Sequence, residues 1–146
     1  MKKRAKITFL TLILIFLFSW GNFAQAGDQI LTNIDEILQA NPLPVGEKIH
    51  LITIVQDDTI TLAVVRILEL GEIKPHFHKK HNESVYVVRG SGQMLIKGKW
   101  VEVKPGTIHF NPKTKVHSIK NTGCKELVVI AIFTPGLKEP DRHFVE

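Results

Sequence analysis

From Ile49 to Phe133 the chain is a succession of short β-branched or alternating runs broken by turn residues, and this pattern limits it to an all-β fold. The expected strands are Ile49–Gln56, Thr59–Leu68, Lys74–His78, Ser84–Arg89, Gln93–Ile96, Trp100–Val103, Thr107–Phe110, Val116–Lys120 and Leu127–Phe133. Between them stand Asp57-Asp58, Gly71, Gly90-Ser91-Gly92, Gly98, Pro105-Gly106, Asn111-Pro112 and Asn121-Thr122-Gly123, the residue types that reverse a chain. Many short strands at short spacing make a sandwich or a barrel. Ala63-Val64-Val65 and Val128–Ile132 are apolar at every position, so they are central strands or strands covered by a partner subunit.

The stretch Gly71–Gly90, GEIKPHFHKKHNESVYVVRG, carries the chemistry. His76 and His78 are two apart, and on a strand residues i and i+2 share a face, so both imidazoles aim at one point. Lys79–Asn82 is polar and reads as a turn, after which Glu83 opens the next strand and faces the histidine pair from the side. Two imidazoles and a carboxylate converging from a hairpin make a metal-site geometry that lacks one ligand. Downstream, GTIHFNPKTKVHSIKN over Gly106–Asn121 offers two further histidines, His109 and His117.

These two stretches resemble the two motifs of the cupin superfamily. The family's first motif is G-x(5)-H-x-H-x(3,4)-E-x(6)-G, and Gly71, His76, His78, Glu83 and Gly90 match it with one residue fewer after the first glycine. Its second is G-x(5)-P-x-G-x(2)-H-x(3)-N, matched by Gly106, Pro112, His117 and Asn121, with Thr114 in place of the second glycine. That replacement leads us to expect a turn before His117 that departs from the usual left-handed geometry. The resemblance implies a single cupin barrel, a double-stranded β-helix or jelly roll, over residues 47–146. It also implies a metal site made by His76, His78, Glu83 and His117. Such a mixed imidazole and carboxylate set suits a divalent transition metal ion, whether Mn, Fe, Zn, Ni or Cu. It leaves coordination positions open for water, oxygen or substrate, unlike a closed structural site. With imidazoles near their ordinary pKa, metal binding is expected to weaken below about pH 6.

Residues 1–26 read as a secretory signal peptide: Lys2, Lys3, Arg4 and Lys6, then the apolar run Ile7–Trp20, then Ala24-Gln25-Ala26. The run has 14 residues, short of the about 20 that span a bilayer; an uncleaved anchor is the competing reading. A mature chain from Gly27, periplasmic or secreted, keeps no stable membrane anchor after processing. Cys124 is the sole cysteine, so no disulfide forms within the chain. Residues 27–46 form an N-terminal helical segment: Ile30, Ile34, Ile37 and Leu38 share a helical face, Thr32 or Asn33 caps it, and Asn41-Pro42-Leu43-Pro44 ends it. The tail from Pro135 is polar and is expected to wrap the surface.

Charge is uneven. Lys74–Lys125 holds eleven Lys or Arg against Glu83 and Glu102, while the rest of the mature chain is acidic, for a mature net charge of +1. Lys79, Lys80, Lys113 and Lys115 adjoin the ligand positions. They are either solvated edge residues or a positive field that draws an anion to the site. A nucleic-acid partner is not expected. The expected ligand is a small, anionic organic molecule, and the expected assembly a homodimer. Fold and ligands alone do not choose between a metal-dependent enzyme and a non-catalytic metal- or small-ligand-binding module. His81 belongs to the turn or to the mouth of the site; the strand phase of His109 and Arg89 is open; Tyr86 faces away from Glu83; Asn121 serves the turn after the His117 strand.

Overall fold

The computed structural model describes residues 29–145, so the signal-peptide reading of residues 1–26 and the start at Gly27 lie outside the described residues. Ten strands follow one helix: α1 (Ile34–Ala40), β1 (Ile49–Gln56), β2 (Thr61–Ile67), β3 (Glu72–Phe77), β4 (Asn82–Arg89), β5 (Gly92–Ile96), β6 (Lys99–Val103), β7 (Ile108–Asn111), β8 (His117–Asn121), β9 (Leu127–Thr134) and β10 (His143–Phe144). All pairings are antiparallel. They build two five-stranded sheets, ordered β1-β2-β9-β4-β7 and β10-β3-β8-β5-β6. The fold is thus all-β, a jelly roll with one short helix.

The inward residues of both sheets make one core. Val65, Ile67, Val85, Val87, Leu127, Val129, Ala131 and Phe133 from the first sheet meet Ile73, Met94, Val103 and Ile119 from the second. β2 and β9 read as apolar on both faces because both faces are covered. Their outward Val64 and Val128 pack with Ile52 of β1 under Leu38 of α1, in a second, smaller cluster.

The helix is shorter than its apolar pattern suggests. Asn33 is the cap, its Oδ1 accepting the Asp35 N–H at 2.8 Å, and the acids Asp35 and Glu36 occupy the first turn. It stops at Asn41, whose Nδ2 donates to Ile37 O at 2.8 Å and whose successor, Pro42, disfavours a helical residue before it.

Two features of β3 place the site. Ile73 and His76 are both buried although they are three apart, and the β3–β8 pairing shifts register between them. This irregularity spans Pro75, which has no N–H to give a ladder. Strict alternation from Ile73 would turn His76 outward; the shift turns it in. The tail is the other difference. It does not merely wrap the surface: it ends in β10, which pairs with β3 in the register His143↔Phe77 and Phe144↔His76.

Candidate metal centre

His76, His78, Glu83 and His117 are brought together at one end of the barrel, each offering one ligand atom within 4.8 Å of the others. Glu83 and His117 each stand where an inward row begins, while His76 lies near the end of β3 and His78 just past it. Glu83 heads the row Glu83, Val85, Val87 on β4; His117 heads His117, Ile119, Asn121 on β8 and sits directly across from His76. The three imidazoles are buried and pack on one another, with centroids of His76 and His117 at 4.4 Å, His76 and His78 at 5.1 Å, and His78 and His117 at 5.4 Å. Phe133 closes the inner side, its ring edge-on to His78 at 5.4 Å.

All three histidines are oriented the same way. Nδ1 of His76 lies 2.8 Å from Lys74 O, that of His78 2.9 Å from Asp141 O, and that of His117 2.9 Å from Lys115 O. A carbonyl only accepts, so each Nδ1 carries the hydrogen and each Nε2 keeps a lone pair for a cation. Nε2 of His78 and of His117 are buried without a hydrogen-bond partner. The His117 Nε2 nevertheless lies 2.8 Å from Glu83 Oε2, and the His78 Nε2 lies 4.0 Å from the same oxygen. Two electron-pair donors at 2.8 Å repel each other unless a proton or a metal cation lies between them. The donor set, its tautomers and these orphaned atoms fit a metal ion.

Electrostatics agree. Burial, chiefly, pushes the His76 pKa down to about 4, with smaller contributions from the charges of His117 and Arg142. Burial also lowers that of His78, partly opposed by Glu83. Burial works to raise Glu83, but the His117 contact and the surrounding histidines hold its carboxyl below the ordinary range. At His76 and His78, neutral imidazoles beside an ionised carboxylate are the protonation states a metal needs. For His76 and His78 this corrects the expectation of proton competition below about pH 6, since their protonation is displaced to lower pH.

The other candidates fall elsewhere. His81 is in the turn before β4, buried, its Nδ1 2.6 Å from Asp141 Oδ2 and outside the four-residue cluster. Arg89 pairs with Asp35 on α1, away from the cavity. His109 does not line the cavity; it reaches Asn111 Oδ1 at 2.5 Å, and Asn111 Nδ2 donates to Glu83 Oε2 at 3.1 Å. Tyr86 is exposed on the opposite face from Glu83. Asn121 closes its turn by donating to Ile67 O and Lys125 O and accepting from Gly123 N. Thr114 keeps the left-handed backbone expected of glycine, with φ of 69°. Its N–H donates to His78 O at 2.6 Å and so ties the turn before β8 to the end of β3.

Three residues were not singled out from the sequence. Asn111 steadies Glu83. Asp141 is a buried carboxylate that accepts from the Lys79 and Lys80 N–H groups, at 3.2 and 2.8 Å, and lies against His81 and His143. Burial works to raise its pKa, but the Lys80 N–H, His81, the Lys79 N–H and His143 together hold it well below the usual carboxylate range. Arg142 lines the cavity beside His76, Glu83 and His117. Asn111 carries a signal, two residues after His109 and at the edge of a turn; Asp141 and Arg142 lie in a polar tail with no periodicity to assign them.

Apart from the cluster, Ser118 and Arg142, the cavity is lined by apolar residues, Val65, Ile73, Met94, Val129 and Phe133 among them, and its volume is about 20 Å³. That is room for about one water molecule.

Comparison with known proteins agrees with this picture. A cupin domain family matches residues 63–133. An uncharacterised protein of Aquifex aeolicus is 31% identical over 117 residues, 80% of this chain and 93% of that protein. L-ectoine synthase of Aliivibrio fischeri is 30% identical over 100 residues, 67% of this chain and 66% of the enzyme. A Klebsiella pneumoniae protein with a double-stranded β-helix domain superposes with a TM-score of 0.69 over 81% of this chain and 100% of its own, at 17% identity, a likeness of fold alone. With its matching cupin domain, its jelly roll and its converging histidines and glutamate, the chain belongs to the cupin superfamily.

Proposed function

We propose that the chain is an exported, metal-dependent enzyme acting on a small anionic organic molecule, with a divalent transition metal ion held by His76, His78, Glu83 and His117. The observation that carries this reading is the convergence of three Nε2 atoms and one carboxylate oxygen, all Nδ1 positions being taken by backbone carbonyls. When bound, such an ion supplies Lewis-acid polarisation of an oxygen donor or activation of a bound water. The protein's own part is to hold His76 and His78 neutral, to orient all three imidazoles through their Nδ1 contacts, to fix Glu83 through Asn111, and to exclude water with the apolar wall. The relation to L-ectoine synthase, an enzyme by name, supports catalysis without carrying its substrate over. The N-terminal pattern of residues 1–26 supports export to the periplasm or medium.

A second reading, a module that holds a metal or small ligand without turnover, is favoured by the cavity of about 20 Å³, which has no room for an organic body. The two separate when the metal-loaded mature protein is incubated with small carboxylates, with and without oxygen. Substrate loss that disappears in Glu83→Ala supports the enzyme. Saturable binding without loss supports the module, and neither binding nor loss sinks both.

A homodimer is the proposed assembly. Beyond the part under α1, the outer face of the first sheet leaves Tyr86, Ile108 and Phe110 exposed at 42%, 76% and 55%. Tyr86 pairs with Ile108 across β4 and β7, and Ser84 with Phe110, so these side chains adjoin one another.

A further inference from the structure

We propose that Arg142, on the C-terminal strap, is the residue that selects a carboxylate at the metal centre, and that the ligand is a small acid presenting its carboxylate end-on with its organic body outside the barrel. This deepens, and rests on, the reading of the site as one for a small anion.

Arg142 lines the cavity with His76, Glu83 and His117, yet its side chain is exposed and has no carboxylate or hydrogen-bond acceptor among the described residues. Every other arginine described is paired: Arg66 with Glu126, Arg89 with Asp35. An unpaired guanidinium at the mouth of a buried cluster presents a planar fork that matches the two oxygens of a carboxylate.

Its backbone is fixed from both sides, which a recognition residue requires. On one side the Asp141 carboxylate is bound to the Lys79 and Lys80 amides and to His81, while its carbonyl accepts from the ligand His78. On the other side β10 pairs with β3, and Val145 N donates to Pro75 O at 3.2 Å. The strap therefore sets Arg142 against the same strand that carries His76.

Size decides how a ligand enters. A cavity of about 20 Å³ takes one water-sized group, so no more than one oxygen of the acid's carboxylate fits at the cluster. The body then lies over the rim, where Phe144 is exposed with its ring 6.2 Å from that of His76. The lysines of the adjoining turns play a lesser part: all four are exposed, and Lys80 Nζ already faces Glu139 at 3.9 Å. Their contribution is long-range attraction, sensitive to salt.

The test is calorimetric titration of glycolate, and of neutral ethylene glycol, into the cobalt-loaded mature protein, with the visible spectrum followed in parallel. Arg142→Gln should weaken glycolate binding at least tenfold, and Arg142→Lys less. Cobalt content, melting temperature and the response to ethylene glycol should stay unchanged. A glycolate affinity in Arg142→Gln within twofold of the wild type overturns the assignment while leaving the anion reading of the site intact. A wild type that gives neither heat nor spectral change with glycolate overturns both.

Discussion

At Thr114 a single backbone angle shows how the turn before His117 forms without a glycine. A β-branched residue at φ of 69° is strained by about 1–2 kcal/mol, and the conformation persists because its N–H is tied to His78 O. Thr114→Gly should relieve that strain, less the entropy glycine loses on folding, for a net gain of about 1 kcal/mol. Urea unfolding of the metal-free protein measures it, and equal or lower stability would count against strain there. Asn111→Ala should leave Glu83 unsteadied and lower metal affinity about 10- to 100-fold by competition with a chelator, whereas an unchanged affinity would remove Asn111 from the site's support. The sign of the pH effect follows from His76. Its folded pKa of about 4 lies below the unfolded value near 6.5, so between these the unfolded chain takes a proton that the folded one refuses. Stability is thus fully present above about pH 6.5 and is lost progressively toward pH 4. The melting temperature of the metal-free protein should fall over that window, and less steeply in His76→Gln; identical slopes would contradict the buried, neutral state. His117 was set apart from His109 only by the cupin resemblance, whereas the convergence of His76, His78 and Glu83 was legible from spacing, because H-x-H and the hairpin glutamate depend on strand period alone. The register shift that lets Ile73 and His76 share a face was not, since it depends on the β8 partner.

At the scale of elements the strap from Asp141 to Val145 is the part the sequence left blank. A two-residue strand has no period to read, and Asp141 is buried only because the turn Lys79–His81 folds over it. Asp141→Ala would leave the two amides and His81 without their acceptor. The expected loss is about 2–4 kcal/mol, together with a weakened hold on His78. Because its folded pKa is depressed, the stability Asp141 contributes is present above about pH 4 and lost as the pH falls below it. A loss under 1 kcal/mol in denaturant unfolding at neutral pH would show the strap to be ornamental. The central strands, by contrast, were legible as strands but not in what covers them. Val64 and Val128 could equally meet a helix or a partner, and α1 answers for that part of the face.

For the molecule as a whole, part of the first sheet's outer face is capped by α1 and part is left apolar, while on the second sheet the outer row Glu102, Gln93, Lys120 and Glu72 is polar and the row beside it holds Leu95 and Trp100. The proposed dimer would form through the first sheet. Ile108→Lys with Phe110→Asp should shift the mass by light scattering from two chains to one with the metal retained; a monomeric wild type at micromolar concentration would end the proposal. The central claim is that this barrel is built around one ion, and metal analysis of the purified protein tests it most directly. The account predicts close to one divalent transition metal ion per chain in the wild type and a near-complete loss in His76→Ala, His117→Ala, with the fold intact by circular dichroism. Equal metal content in the two proteins, or none in a wild type exposed to Mn, Fe, Co, Ni, Cu and Zn, would contradict it.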